Sequence, residues 1–199
     1  MLKKAFLGSI EKTFNSITVD GDTSTSDMVL LVSVIGNKTY TLTKKSELNV
    51  FFKKLNDVLE SLSHQIVKDG EGAKKFISIE VKNAKNDKEA KLIAMSIANS
   101  PLFKTAIAGE DSNWGRIIMA IGKVDAKVDV KKLSISFSDH KIIKNGELVI
   151  NIDSKKLDKY LKNNNIEIFI DMGINNGFSK VWTCDLTEEY IEINADYRS

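Results

Sequence analysis

The chain has 199 residues, of which 42% are hydrophobic and 28% charged, the composition of a folded globular body. Basic residues number 29 and acidic residues 27, so no excess of positive charge points to a nucleic acid. A single cysteine, Cys184, excludes an internal disulfide framework, and no apolar run approaches membrane-spanning length. These features predict a soluble cytoplasmic protein with no membrane or nucleic-acid partner.

Leu2, Phe6, Ile10 and Phe14 recur every four residues and predict a helix over 2–14. The chain begins inside that helix without a cap, so Met1 reads as an abrupt start. "NSITVDGDTSTSD" (Asn15–Asp27) then gathers three aspartates and several hydroxyls around Gly21. Met28–Ile35 is nearly all apolar and predicts a buried strand, with a turn at Gly36–Lys38 and a partner strand at Thr39–Leu42. Ser46 is a candidate N-cap for a helix to about Val67. "KDGEGAKK" (Lys68–Lys75) breaks it. Alternating Ile77, Ile79 and Val81 predict a half-buried strand.

Asp87 is placed to cap a helix through Ile97 that carries Ala90, Ile93 and Ala94. Pro101 sits at the first turn of a short helix, and 114–121 forms another. Leu133–Phe137 and Leu148–Ile152 predict strands around the "KNG" turn. Asp153 starts a helix to about Leu161. The last strands are predicted at Ile166–Asp171, Lys180–Cys184 and Tyr190–Ile193. Alternating helices and strands predict one mixed α/β body with no linker or repeat.

The polar stretches admit several chemistries. Asp20, Asp22 and Ser24 match the first ligand positions of a calcium loop. Its sixth position is Thr25 where glycine is required, and its twelfth is Leu31 where a bidentate glutamate is required. The spacing therefore favours a turn whose side chains bond their own backbone. "GEGAKK" lies between a helix and a strand, the reverse of the phosphate-binding order, yet Glu71 between two glycines could meet an ammonium group closely. His64 and His140 read as surface residues, and Cys184 as a small core residue. In "GEDSNWGRI" (Gly109–Ile117), Arg116 could pair with Glu110 or with a carboxylate ligand. The residues by themselves give no reaction.

Together "NSITVDGDTSTSD", "DGEGAKKFISIEV", "SIANSPLFKTAIAGEDSNWGRI" and "CDLTEEYIEINADYRS" resemble the β chain of the ornithine acetyltransferase family, the glutamate N-acetyltransferases of arginine biosynthesis. The resemblance runs from the first helix to the last residue. It implies a mixed α+β fold of layered sheets sandwiched by helices, shared with autoprocessing β-aminopeptidases. It implies a precursor that cuts itself into α and β chains, assembled as an α2β2 heterotetramer. The new N-terminal threonine of the β chain would take acetyl from N2-acetylornithine, and glutamate would accept it in a ping-pong scheme. The oxyanion hole would come from the α chain.

No cofactor or metal is implied, and acetyl-CoA stays open as a co-substrate. Matched residue by residue, the substrate contacts fall on Glu71, which would hold the amino group, and on Asn194 and Ser199, which would bind the polar end of the amino acid. Residues 1–199 would form one β-chain region, incomplete at its N-terminus and lacking the threonine nucleophile. This chain alone would then be inactive and, with an apolar face uncovered, prone to aggregate. Lys74 stands where the family usually has threonine and brings a positive charge near Glu71. Ser26 stands where it usually has asparagine. The alternatives are a β-aminopeptidase of the same fold and an orphan fragment acting as a binding or assembly module.

Overall fold

The computed structural model describes residues 2–34, 36 and 44–197. The first helix, α1, covers Leu2–Ile10, and a single 3-10 turn follows at Phe14–Ser16. The four-residue apolar spacing therefore spans two short pieces, joined where Thr13 folds back on the Ser9 carbonyl. Helix α2 runs Lys45–Lys68, and its N-cap is Lys44 rather than Ser46. Glu47 closes the capping box by accepting from the Lys44 backbone N–H at 3.2 Å.

Residues 28–34 are extended but belong to no sheet, which corrects the expectation of a buried strand. Val29 and Leu31 turn inward against Ala5, Leu55 and Leu59 of α1 and α2. Met28, Leu30, Val32 and Val34 face outward, 74–83% exposed. The expected partner strand at 39–42 lies outside the described residues.

Six strands form the sheet, in the order β4-β3-β2-β5-β1-β6. Strand β1 (Phe76–Ala84) is its hub. It pairs in parallel with β5 (Asn165–Asp171) and antiparallel with β6 (Gly177–Cys184). Strand β2 (Ser134–Phe137) joins β5 antiparallel, and β3 (His140–Lys144) joins β2. The "KNG" turn links β3 to the two-residue β4 (Glu147–Leu148). The expected strand to Ile152 stops there, and Ile150 lies in solvent at 85% exposure.

The main core covers one face of the sheet. Ile77, Ile79, Val81, Ile168 and Ile170 pack there on α3 (Asp87–Ala98) and α5 (Trp114–Gly122). Each such isoleucine is worth about 1.5–3 kcal/mol on burial. The N-cap of α3 is Asn86, whose side chain accepts the Glu89 N–H at 2.9 Å, while Asp87 accepts from Phe178 on β6. Helix α4 (Pro101–Ala108) carries Pro101 at its first turn, capped by Ser100. Helix α6 (Ser154–Leu161) starts at the Asp153 cap as expected. A second, smaller cluster of Val67, Trp182 and Cys184 attaches the end of α2 to β6.

The last element, α7 (Glu188–Asp196), is a helix, which corrects the strand expected at Tyr190–Ile193. Glu188 and Glu189 occupy its first turn, where the helix dipole favours negative charge. The alternation of Ile191 and Ile193 imitates a strand, but no free edge lies beside it, and both isoleucines remain exposed. Among the described residues, no helix is long and apolar enough to cross a membrane.

Candidate functional site

The antiparallel ladder pairs Phe76 with Cys184, so the turn entering β1 and the segment leaving β6 lie side by side. Asp185 fastens them. Its Oδ1 accepts the N–H groups of Lys74 and Lys75, each at 2.9 Å, and its own N–H donates to the Lys75 carbonyl. The other oxygen, Oδ2, is buried without a hydrogen-bond partner among the described residues.

Gly72 turns at φ +66, and a Cβ there would lie 2.6 Å from the Tyr190 backbone nitrogen. Only glycine admits both the turn and the approach of the helix. The Gly72 carbonyl accepts the Thr187 hydroxyl at 2.7 Å. With α7 seated this way, Asn194 Nδ2 donates to Glu71 Oε2 at 2.5 Å and to the Tyr190 carbonyl at 2.9 Å. Two of the three expected site residues thus meet directly, on an exposed rim. Ser199 lies outside the described residues.

Spacing alone did not reveal the role of Asp20. Its Oδ1 accepts the Asp22 N–H at 2.9 Å, and Ser24 Oγ accepts the N–H groups of Ser26 and Asp27. These are the backbone-tying turns expected of the stretch. The second oxygen, Oδ2, accepts the Tyr190 hydroxyl at 3.0 Å across 170 residues of sequence. Burial and then the Asp20 carboxylate hold the Tyr190 phenol above its ordinary range, with Glu71 and Asp22 adding to the negative surroundings.

Beneath this turn lies Lys104, only 3% exposed. Its ammonium donates to the Val19 carbonyl and lies 3.9 Å from the Cys184 sulfur. Burial lowers the Lys104 pKa, and burial raises that of the Cys184 thiol. Cys184 is a core residue, as expected.

Other expectations are corrected. Lys74 directs its charge to Glu189, 3.6 Å away. Arg116 does not pair with Glu110; it donates to the Leu102 carbonyl and to Thr105 Oγ1. Glu110 instead faces the buried Lys75 at 3.5 Å. His64 is not a surface residue. It packs edge-on against Phe76 and Trp182, with centroids 5.0 and 4.6 Å away, and burial lowers its pKa.

The arrangement offers an acidic rim, Asp20, Asp22 and Glu71, around a tyrosine and a carboxamide. Such a rim suits a ligand that carries an ammonium group.

A family model described as the ArgJ family matches residues 1–199. An arginine biosynthesis bifunctional protein ArgJ from Bartonella henselae is 46% identical over 201 residues, covering 100% of this chain and 49% of that protein. Its counterpart from Ruegeria pomeroyi is 50% identical over 189 residues, covering 95% of this chain and 45% of the relative. The chain therefore spans about half the length of the curated relatives it matches. A chain in a crystal structure of arginine biosynthesis bifunctional protein ArgJ from Bacillus halodurans superposes with a TM-score of 0.89 at 41% identity, covering 98% of this chain and 92% of that one. The expected mixed α/β fold is the fold of that neighbour. The chain belongs to the ArgJ family.

Proposed function

We propose that the complete protein is a glutamate N-acetyltransferase of arginine biosynthesis, moving acetyl from N2-acetylornithine to glutamate through an acyl-threonine intermediate. The observation that carries this reading is the direct contact of Glu71 with Asn194 on an acidic rim. The bifunctional arginine-biosynthesis relatives support it further. In the proposed site, the Glu71 carboxylate binds the α-ammonium group of acetylornithine's deacetylated product or of glutamate. Asn194 and Ser199 bind the polar end of the amino acid. The threonine nucleophile and the oxyanion hole would come from the part of the relatives that this chain does not span.

The same reading assigns an α chain as partner, in an α2β2 assembly in the cytoplasm, with acetyl-CoA as a co-substrate to be tested beside acetylornithine. The test is acetyl transfer from N2-acetylornithine to glutamate by the complete two-chain protein and by the 199-residue chain alone. The complete protein is expected to transfer acetyl, and the single chain to be inactive. Hydrolysis of β-amino-acid amides without transfer would replace the reading with an aminopeptidase. Tight binding of N2-acetylornithine to the single chain would replace it with a binding module.

A further inference from the structure

Helix α7 carries Asn194 to Glu71, yet none of its nine residues is buried. Apolar packing therefore does not fix its rotation about its own axis. Polar contacts do. Thr187 anchors its start to the Gly72 carbonyl, and Lys74 pairs loosely with Glu189. In its middle, Tyr190 reaches away from the Glu71 turn and donates to Asp20.

Asp20 is itself held in place. Its first oxygen is tied to the Asp22 N–H, and the preceding carbonyl, that of Val19, is held by the buried Lys104 ammonium. The carboxylate is therefore aimed before the tyrosine arrives. Tyr190 also accepts the Asn194 amide on its backbone carbonyl, one helical turn below. A hydrogen-bonded path thus runs from Lys104 through Val19, Asp20 and Tyr190 to Asn194 and Glu71.

We propose that Asp20 and Tyr190 are positioning residues of the acetyl transfer. Their contact sets the rotation of α7 at which the Asn194 amide meets Glu71, and so orients the carboxylate that receives the ammonium group. Neither side chain touches the reacting acetyl group in this role. They act on substrate binding rather than on the chemical step. The phenol stays protonated through the neutral range because its pKa is raised, so it remains a donor to Asp20. The proposal rests on the acetyltransferase reading.

The test is steady-state transfer by the complete two-chain protein. Tyr190→Phe removes one oxygen and keeps the ring. It should raise the KM for N2-acetylornithine about tenfold and leave kcat within about twofold, the pattern of lost uniform binding. Asp20→Ala should do the same. Asp20→Asn keeps an acceptor oxygen and should restore the KM to near the wild-type value. The double variant Asp20→Ala/Tyr190→Phe should be no worse than either single change, because both remove one contact.

An unchanged KM in Tyr190→Phe overturns the proposal, even if thermal stability falls. So do additive losses in the double variant, or a fall confined to kcat. Glu71→Gln separates this failure from that of the underlying reading. If Glu71→Gln loses transfer and Tyr190→Phe does not change, only the positioning role falls. If the wild type transfers no acetyl, or Glu71→Gln is fully active, both fall.

Discussion

Glu71 and Asn194, 123 residues apart in sequence, share a 2.5 Å hydrogen bond from the Asn194 amide to the Glu71 carboxylate. The bond points one carboxylate oxygen toward the helix and leaves the glutamate held at two ends, by its turn and by the amide. Asn194→Ala should release it. In the complete protein the KM for N2-acetylornithine should rise about tenfold, with a smaller effect on kcat. Steady-state transfer assays read both. An unaltered KM would separate Asn194 from the substrate site.

Gly72→Ala tests the close approach of α7. At φ +66, a methyl group would press on the Tyr190 nitrogen and on Thr187. The strain should cost about 1–3 kcal/mol. Acetyl transfer should fall at least about tenfold as α7 moves off its seat, and protease should cut the C-terminal helix faster than in the wild type. A variant with wild-type transfer and protease resistance would show that the helix can shift without loss.

His64 makes stability depend on mildly acidic pH. Burial holds its folded-state pKa below the ordinary value of 6.5. Above about pH 6.5 the ring is neutral in both states and contributes no slope. Below it the unfolded chain takes up the proton first, so stability falls as pH drops toward the folded-state value. Thermal unfolding between about pH 7.5 and pH 5.5 should show a larger loss of Tm in the wild type than in His64→Leu. Glu11 acts lower still. Hydrogen bonds from Asn15 and then Lys91 hold its pKa down, so its contribution is present above 4.5 and is lost at more acidic pH. Equal slopes for wild type and His64→Leu would contradict the account of His64.

The extended run of residues 28–34 presents four large apolar side chains to solvent, alternating with the two that pack inward. An unpaired apolar strand is a template for association. The isolated 199-residue chain should therefore self-associate, as sedimentation velocity would show. The double substitution Val32→Lys/Val34→Lys should reduce that association while leaving the unfolding transition of the main core intact. A monomeric wild-type chain at high concentration would refute this.

Most of the core was legible from residue spacing. Ile77, Ile79 and Val81 alternate as β1 does, and Ala90, Ile93, Ala94 and Ile97 mark the buried stripe of α3. The misreadings have local causes. Residues 28–35 have a strand's composition, but pairing depends on neighbours far away in sequence. In α7, Ile191 and Ile193 mimic alternation, and only the absence of a receiving edge decides against a strand. For the site, Glu71 and Asn194 were named through the family resemblance, since no spacing rule joins positions so far apart. The Asp20–Tyr190 contact escaped because its signal is tertiary: a turn aspartate looks the same whether or not a phenol reaches it.

The pairing of Phe76 with Cys184 has a consequence for how this protein tolerates change. Two distant stretches of chain enter and leave the site from adjoining rungs at one end of a shared ladder. Any tilt of the central strands carries both together, as two hands on the same rail. The far margin at β3 and β4 can then drift, lengthen or vary over generations without altering the spacing between Glu71 and the helix that meets it.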